Sequence, residues 1–488
     1  MISKYFYLSM LLLSVIVLST GCNNSSQSSS GTVSGIVRLD GQEVHAGITV
    51  SIFRADLASQ QVLEIRQQYP DLAFPIDDKV LFDHRNYSPL QTVFTDQNGR
   101  FSFSKLPYDR YIVAYYMVGW GFNYIYDIEL NMPELEVASN SLLLYPEIEL
   151  EAYLDSELIL EQGRNYVVKE DMVLGENSRL EFSSDSRLLI DKNVRISSYG
   201  QISSPGNNMR AYITSYSGCY TGSISEANLG DGFYIYSGAT ELNHMSFSHL
   251  RNALQVTVDG FSIENSSFIR CLYGFVARSL TSLNVSNNFF YGNKNINAAS
   301  CFVNSVQGYN ANSNLFLDNY IAMKCELVTN AHISNSAFLD NDRGFVNLWE
   351  SSSLFEYNTI RNNDVGIENS GYSNLTISYN DIECRVGIKT YHTNNWYNTI
   401  TEGWTKVNYN NIDCTQYAVE SRALYYYNEG PYPLDFKNNW WGTTESLQID
   451  NIIIDYHDLG LVGGAGVTSV VNYIPYRTSR VANAGIQI

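Results

Sequence analysis

Four aspartates in the middle of this chain recur at a fixed interval. Asp318 and Asp340 are 22 residues apart, as are Asp342 and Asp364, and Arg343 and Arg361 lie among them. If each interval closes one coil of a stacked structure, equivalent side chains come within roughly 4.8 Å of each other. Carboxylates that close raise each other's pKa unless a cation sits between them. Two chemistries follow. Asp318 and Asp340 could hold calcium. Asp340, Asp342 and Asp364, with Arg343 and Arg361, could form a general acid/base site for an acidic sugar. The alternative is a set of solvated turn residues, since turns favour Asp.

A second constellation is aromatic. Coils restart 10 residues after Phe345 (at Phe355) and after Ile367 (at Ile377), but 19 after Ile388 and 17 after Val419. Both long intervals leave the same corner of adjacent coils. They carry Tyr391, His392, Trp396 and Trp404, then Tyr425 and Tyr426, and Trp349 occupies that corner two coils earlier. Long loops on a rigid scaffold are where binding concentrates. Aromatic rings pack on the apolar faces of sugars, so a polysaccharide or cell-surface glycan is the expected partner. The alternative is rings that only cover one another.

The elements that must position these residues are repeats. Phe247, Phe268, Phe290, Phe316, Phe338, Ile360, Ile382, Ile412 and Trp441 recur about every 22 residues. A small polar residue usually stands two positions earlier, as at Ser266, Asn288, Asn314, Ser336, Asn358, Asn380, Asn410 and Asn439. Such periods mark stacked coils that bury their apolar face only against each other. Asn, Ser, Gly and β-branched residues abound while Ala, Leu and Lys are sparse, which argues against helical repeats. The pattern predicts a parallel β-helix over residues 150–445, with residues 446–488 as cap and tail. A cap is required because an open last coil exposes unpaired strand edges.

These repeats resemble the right-handed parallel β-helix family of pectin-lyase-like fold. Asn438-Asn439-Trp440-Trp441-Gly442-Thr443 is similar to a frequent ending there, in which a Trp closes the last coil and a tail like Val471-Asn472-Tyr473-Ile474-Pro475 folds against it. The resemblance implies a fold shared by polysaccharide lyases, glycoside hydrolases and non-enzymes. Asn-Thr-Asp, Asp-Asp and Gly-His-Gly motifs, which the hydrolases carry on successive coils, do not occur between residues 150 and 445.

Residues 32–145 alternate apolar and polar in the strand manner, with a turn at Asp96-Gln97-Asn98-Gly99. Gly35, Val37, Gly41, Gly47, Val50, Thr95, Asp96, Gly99, Phe101, Phe103, Leu106, Pro107 and Tyr111 resemble the carboxypeptidase-regulatory-like domain, a transthyretin-type sandwich. That resemblance implies a non-catalytic spacer or accessory module. Residues 56–90 read as an insertion, helical around Leu57 to Gln68. The fold class is thus all-β: a small β-sandwich followed by a right-handed parallel β-helix solenoid.

The first residues read as a targeting segment. Lys4 precedes a short apolar run, and Leu18-Ser19-Thr20-Gly21-Cys22 resembles the bacterial lipobox. Residues 1–21 are then a lipoprotein signal peptide, Cys22 the lipidated residue and residues 22–31 a Ser-rich tether. The expected location is the cell envelope, as an outer-membrane or surface-exposed lipoprotein whose lipid is its membrane contact. A net charge of -20 disfavours nucleic acid as a partner. No Cys/His spacing suggests zinc, and no cofactor is expected beyond the calcium possibility. Cys384 and Cys414 fall on adjacent coils, within disulfide reach or as part of a thiol ladder. His244, His249 and His332 read as surface or turn residues. Three functions remain open: a non-catalytic carbohydrate-binding or adhesin-like rod, a polysaccharide lyase or glycoside hydrolase, and a spacer.

Overall fold

The computed structural model describes residues 30–55, 60–205, 209–371, 373–391, 405–422, 432–459, 461–462, 465–466 and 469–487. Seven strands open the chain, in two sheets of three and four. The smaller orders Arg100–Pro107, Ser30–Leu39 and Glu134–Leu144; the larger orders Gln91–Phe94, Thr49–Arg54, Asp109–Met117 and Gly121–Leu130. Val33, Val37, Ile48, Val50, Ile52, Phe103, Tyr111 and Val113 fill the space between them. The turn that starts Arg100–Pro107 is tied by the Asp96 carboxylate, which accepts from the amides of Asn98 and Arg100 at 2.9 Å each. Gly99 there has φ +81°, and a Cβ would lie 2.1 Å from the Val37 carbonyl, so only glycine fits.

Beyond the sandwich the chain winds into a parallel β-solenoid. Its three long sheets hold twelve, thirteen and ten strands. The twelve-strand sheet carries the anchor residues and is called here the anchor sheet; the thirteen-strand sheet is the second and the ten-strand sheet the third. The anchors stack in the expected register: Phe247 on Phe268, then Phe290, Phe316, Phe338, Ile360, Ile382 and Ile412. Ring centroids along Phe268, Phe290, Phe316 and Phe338 are 4.9, 4.6 and 4.8 Å apart, so the apolar column is continuous. Beside it runs the polar ladder. The amide of Ser336 donates to Asn358 Oδ1, that of Asn358 to Asn380 Oδ1, and that of Asn380 to Asn410 Oδ1, at 2.8 to 2.9 Å. Each buried bend thereby satisfies its backbone through the coil above.

Trp441 closes the stack. It is 1 % exposed, and Tyr473 meets it edge-on at 6.3 Å. The backbone then returns along the anchor sheet. Val481 exchanges hydrogen bonds with Asn411, Gly485 donates to the Tyr379 carbonyl at 2.8 Å, and Gln487 donates to Asn335 Oδ1 at 3.1 Å.

The insertion from the sandwich lies on the outer face of the same sheet. Its helix α1 (Gln60–Gln68) buries Val62 and Ile65, which with Phe74, Val80 and Leu81 cover Ile269, Phe289, Leu315, Leu317 and Leu339; Ile486 of the tail joins them. Next to this apolar patch is a buried polar cluster. Arg85 is paired with Asp83 at 2.6 Å and donates to the carbonyls of Ser215 and Ser217 and to Thr214 Oγ1. His84 sits between the Cys219 carbonyl and the Tyr124 hydroxyl, both at 2.9 Å. His249 is buried with Nε2 3.6 Å from Asp83 Oδ2, which corrects its reading as a surface residue; its position looks outward from the solenoid, but the insertion covers it. His332 is paired with Glu356 at 3.0 Å.

Burial would push the Asp83 pKa up, but the guanidinium of Arg85 outweighs it and holds the carboxyl far below its usual range. Burial, opposed by Asp83, pushes His84 down to about 4 and His249 to about 3. Both histidines are therefore neutral when docked. Unfolded histidine takes up a proton near pH 6.5, so docking is at full strength above that pH and weakens as pH falls toward about 4 through His84 and about 3 through His249. The melting temperature should drop across this window, and His249→Gln should flatten the drop. An unchanged profile in that variant would show that His249 contributes nothing to it.

Candidate functional site

The 22-residue columns turn a corner between the anchor sheet and the second sheet, and the charged candidates gather there. Asp342 and Asp364 occupy equivalent positions, each amide bonded to the coil below. The next coil is one residue shorter, because Val365 pairs with Val386. The position equivalent to Asp364 is therefore Arg385, a residue the fixed interval passes over. Its Nη2 lies 3.0 Å from Asp364 Oδ2, and its Nη1 reaches Gln416. The hydrogen bond from Arg385 pulls the Asp364 pKa down, against a smaller upward push from burial.

A second column, on the outer face of the second sheet, alternates in the same way. Glu368, Lys389 and Glu420 are in register. Glu368 pairs with Arg343 at 3.4 Å, and Glu420 with Lys389 at 3.2 Å. Two residues past Lys389 stands Tyr391, its ring 5.0 Å from the ammonium. Tyr320, Asp342, Arg343, Asp364, Val365, Glu368, Arg385, Lys389 and Tyr391 line one open groove of about 650 Å³. It runs along the strand direction beside Val386–Tyr391, roughly 17 Å at 3.3 Å per residue. Around the corner it continues into a hollow of about 400 Å³ bordered by Asp340, Asn362 and Glu383.

The groove thus joins part of each sequence constellation. Asp342, Asp364 and Arg343 come from the charged set and Tyr391 from the aromatic set. Trp349 stands beside its far end: it is 58 % exposed and packs against Gly371, whose amide donates to the Tyr391 carbonyl. His392, Trp396, Trp404, Tyr425 and Tyr426 lie outside the described residues, as does Cys22.

No family model, curated protein or solved structure matches this chain. The functional reading therefore rests on the groove itself and on sequence resemblance.

Other candidates fall elsewhere. Arg361 does not enter the groove; it pairs with Asp381 at 3.4 Å and Glu383 at 3.7 Å, where Arg480 of the returning tail also docks. Asp318 is held by Lys294 at 2.6 Å. Asp340 faces helix α1: the Gln61 amide donates to its Oδ1 at 3.0 Å while accepting from Asn362. Burial, and to a lesser degree Asp318, raises the Asp340 pKa. The two carboxylates proposed for calcium thus already have protein donors. Among the described residues, no group of three or more His, Cys, Asp or Glu is placed to hold a metal. Cys384 and Cys414 are free thiols rather than a bridge, and burial raises both. Arg385, Glu368, Lys389 and Tyr320 were not singled out from the sequence. The 21-residue step from Val365 to Val386 is the signal that would have found Arg385.

Proposed function

We propose that this chain is an exported, lipid-anchored rod of pectin-lyase-like fold whose solenoid binds a glycan, without cleaving it, in the groove from Asp342 to Tyr391. The sandwich, similar to carboxypeptidase-regulatory-like domains, acts as the spacer that carries the rod away from the membrane. The observation behind the binding reading is the composition of the groove. An open trough on a rigid sheet presents aromatic rings beside paired charges, and rings with fixed polar groups suit a sugar chain. The paired charges keep unused lone pairs and N–H groups for hydroxyls.

A screen of the soluble chain against immobilised glycans tests this. Binding should appear, and Tyr391→Ala should weaken it about tenfold, the loss of roughly 1.4 kcal/mol of stacking. Equal binding by that variant would place the site elsewhere. The anchor is tested separately: Cys22→Ser should leave the protein unlipidated and released from membranes, and retention would refute the lipid anchor.

One observation favours a second reading, catalysis on the bound glycan. Asp340 and Asp364 border the same hollow with pKa values pushed in opposite directions, as a general acid and a base require. Release of new reducing ends or unsaturated uronates, abolished by Asp340→Asn, would establish it in place of simple binding.

A further inference from the structure

We infer that the groove selects neutral glycans and rejects polyuronates, with Asp364 and Glu368 as the residues that set this preference. The inference rests on the glycan-binding reading above.

The argument starts from which cations are available. Three line the groove and its corner: Arg343, Arg385 and Lys389. All three are engaged by the chain's own carboxylates, Arg343 by Glu368, Arg385 by Asp364 and Lys389 by Glu420. A uronate would have to displace a tethered carboxylate, whose effective concentration is on the order of millimolar or more. It would also strand that carboxylate beside its own negative charge. The same surface carries five carboxylates (Asp340, Asp342, Asp364, Glu368 and Glu383) against those three cations. Asp342 is exposed, and its side chain has no hydrogen bond or ion pair among the described residues. The local field thus repels a polyanion, as does the net charge of -20.

A neutral sugar meets none of these costs. Its hydroxyls can donate to Asp342 and to the free lone pairs of the paired carboxylates, and can accept from guanidinium N–H groups that point away from their partners. Its apolar face can lie on Tyr391 or Tyr320. The ion pairs then act as a rigid polar floor that neither breaks nor reorients on binding.

The test is a titration of the full soluble chain with hexamers of glucose, mannose, xylose and galacturonate at low and at physiological salt. At least one neutral hexamer should bind ten times more tightly than hexagalacturonate, with little salt dependence. Asp364→Asn with Glu368→Gln frees Arg385 and Arg343. That double variant should gain hexagalacturonate binding by at least tenfold, weakened by salt, with an unchanged circular dichroism spectrum and melting temperature as its control of folding. Wild-type protein that binds the uronate as well as the neutral hexamers overturns the preference but leaves the glycan reading intact. A double variant that still ignores the uronate overturns the assignment to these two carboxylates. Binding of none of the hexamers by either protein would remove both the preference and the reading beneath it.

Discussion

Replacing Arg85 by alanine should cost about 3–5 kcal/mol, the penalty for leaving one member of a buried ion pair alone. Asp83 would keep its charge with no guanidinium beside it, while the carbonyls of Ser215 and Ser217 and the Thr214 hydroxyl would lose their donor. This contact ties the insertion of the sandwich to coils about 130 residues further along the chain. The variant should therefore melt earlier and become sensitive to proteolysis between residues 60 and 90. Asp83→Asn combined with Arg85→Met removes both charges and should be milder than Arg85→Ala alone. Urea unfolding followed by circular dichroism measures the difference. A loss below about 1 kcal/mol in Arg85→Ala would show that the apolar patch around Ile269, Phe289 and Leu315, and not the ion pair, holds the insertion down.

The cap should be as sensitive. Trp441→Ala removes the largest of the fully buried side chains among the described residues and uncovers the last coil above Ile412, at a cost of about 3–5 kcal/mol. Exposed strand edges then invite association between molecules. The expected result is a lower melting temperature together with aggregation on heating, seen by light scattering. Trp441→Phe separates shape from hydrogen bonding. The indole N–H is buried without a partner, so a phenyl ring that fills most of the space should cost far less than alanine. Equal losses from both substitutions would mean that the full indole volume is what the cap requires.

Much of this architecture is written in periodic residues. Phe268, Phe290, Phe316 and Phe338 dictate the register because a column of rings can be buried in only one alignment. Asn358, Asn380 and Asn410 mark the bends because a short polar side chain there can accept from the backbone of the neighbouring coil, as the Ser336 hydroxyl does from Asn314. The groove was half legible for the same reason: Asp342 and Asp364 stand where the repeat places them, while Tyr391, read as part of a long loop, ends the strand Val386–Tyr391. Arg385 escaped because its coil drops one residue, so a fixed step of 22 lands on Val386 and misses the charge reversal above Asp364.

The insertion was not legible beyond its helix. Asp83, His84 and Arg85 are three consecutive residues with no period. Their partners are two hydroxyls and backbone carbonyls that no pattern announces. His249 looked exposed for a related reason: it points outward from its own coil, and its cover comes from a distant segment. Arg361 looked like a groove residue on spacing alone, but the tail that returns from the cap claims that side of the coil through Arg480.

The most direct measurement is a crystal structure of the chain soaked with a neutral oligosaccharide that it binds. Sugar density should lie across the outer face of the second sheet, one ring on Tyr391 and hydroxyls within hydrogen-bond distance of Asp342, Glu368 and Lys389. The insertion and the solenoid enclose another hollow, about 660 Å³, lined by Phe74, Arg210, His244 and Asn287. Density confined to that hollow, with the Asp342-to-Tyr391 groove empty, would contradict the assignment of the binding face.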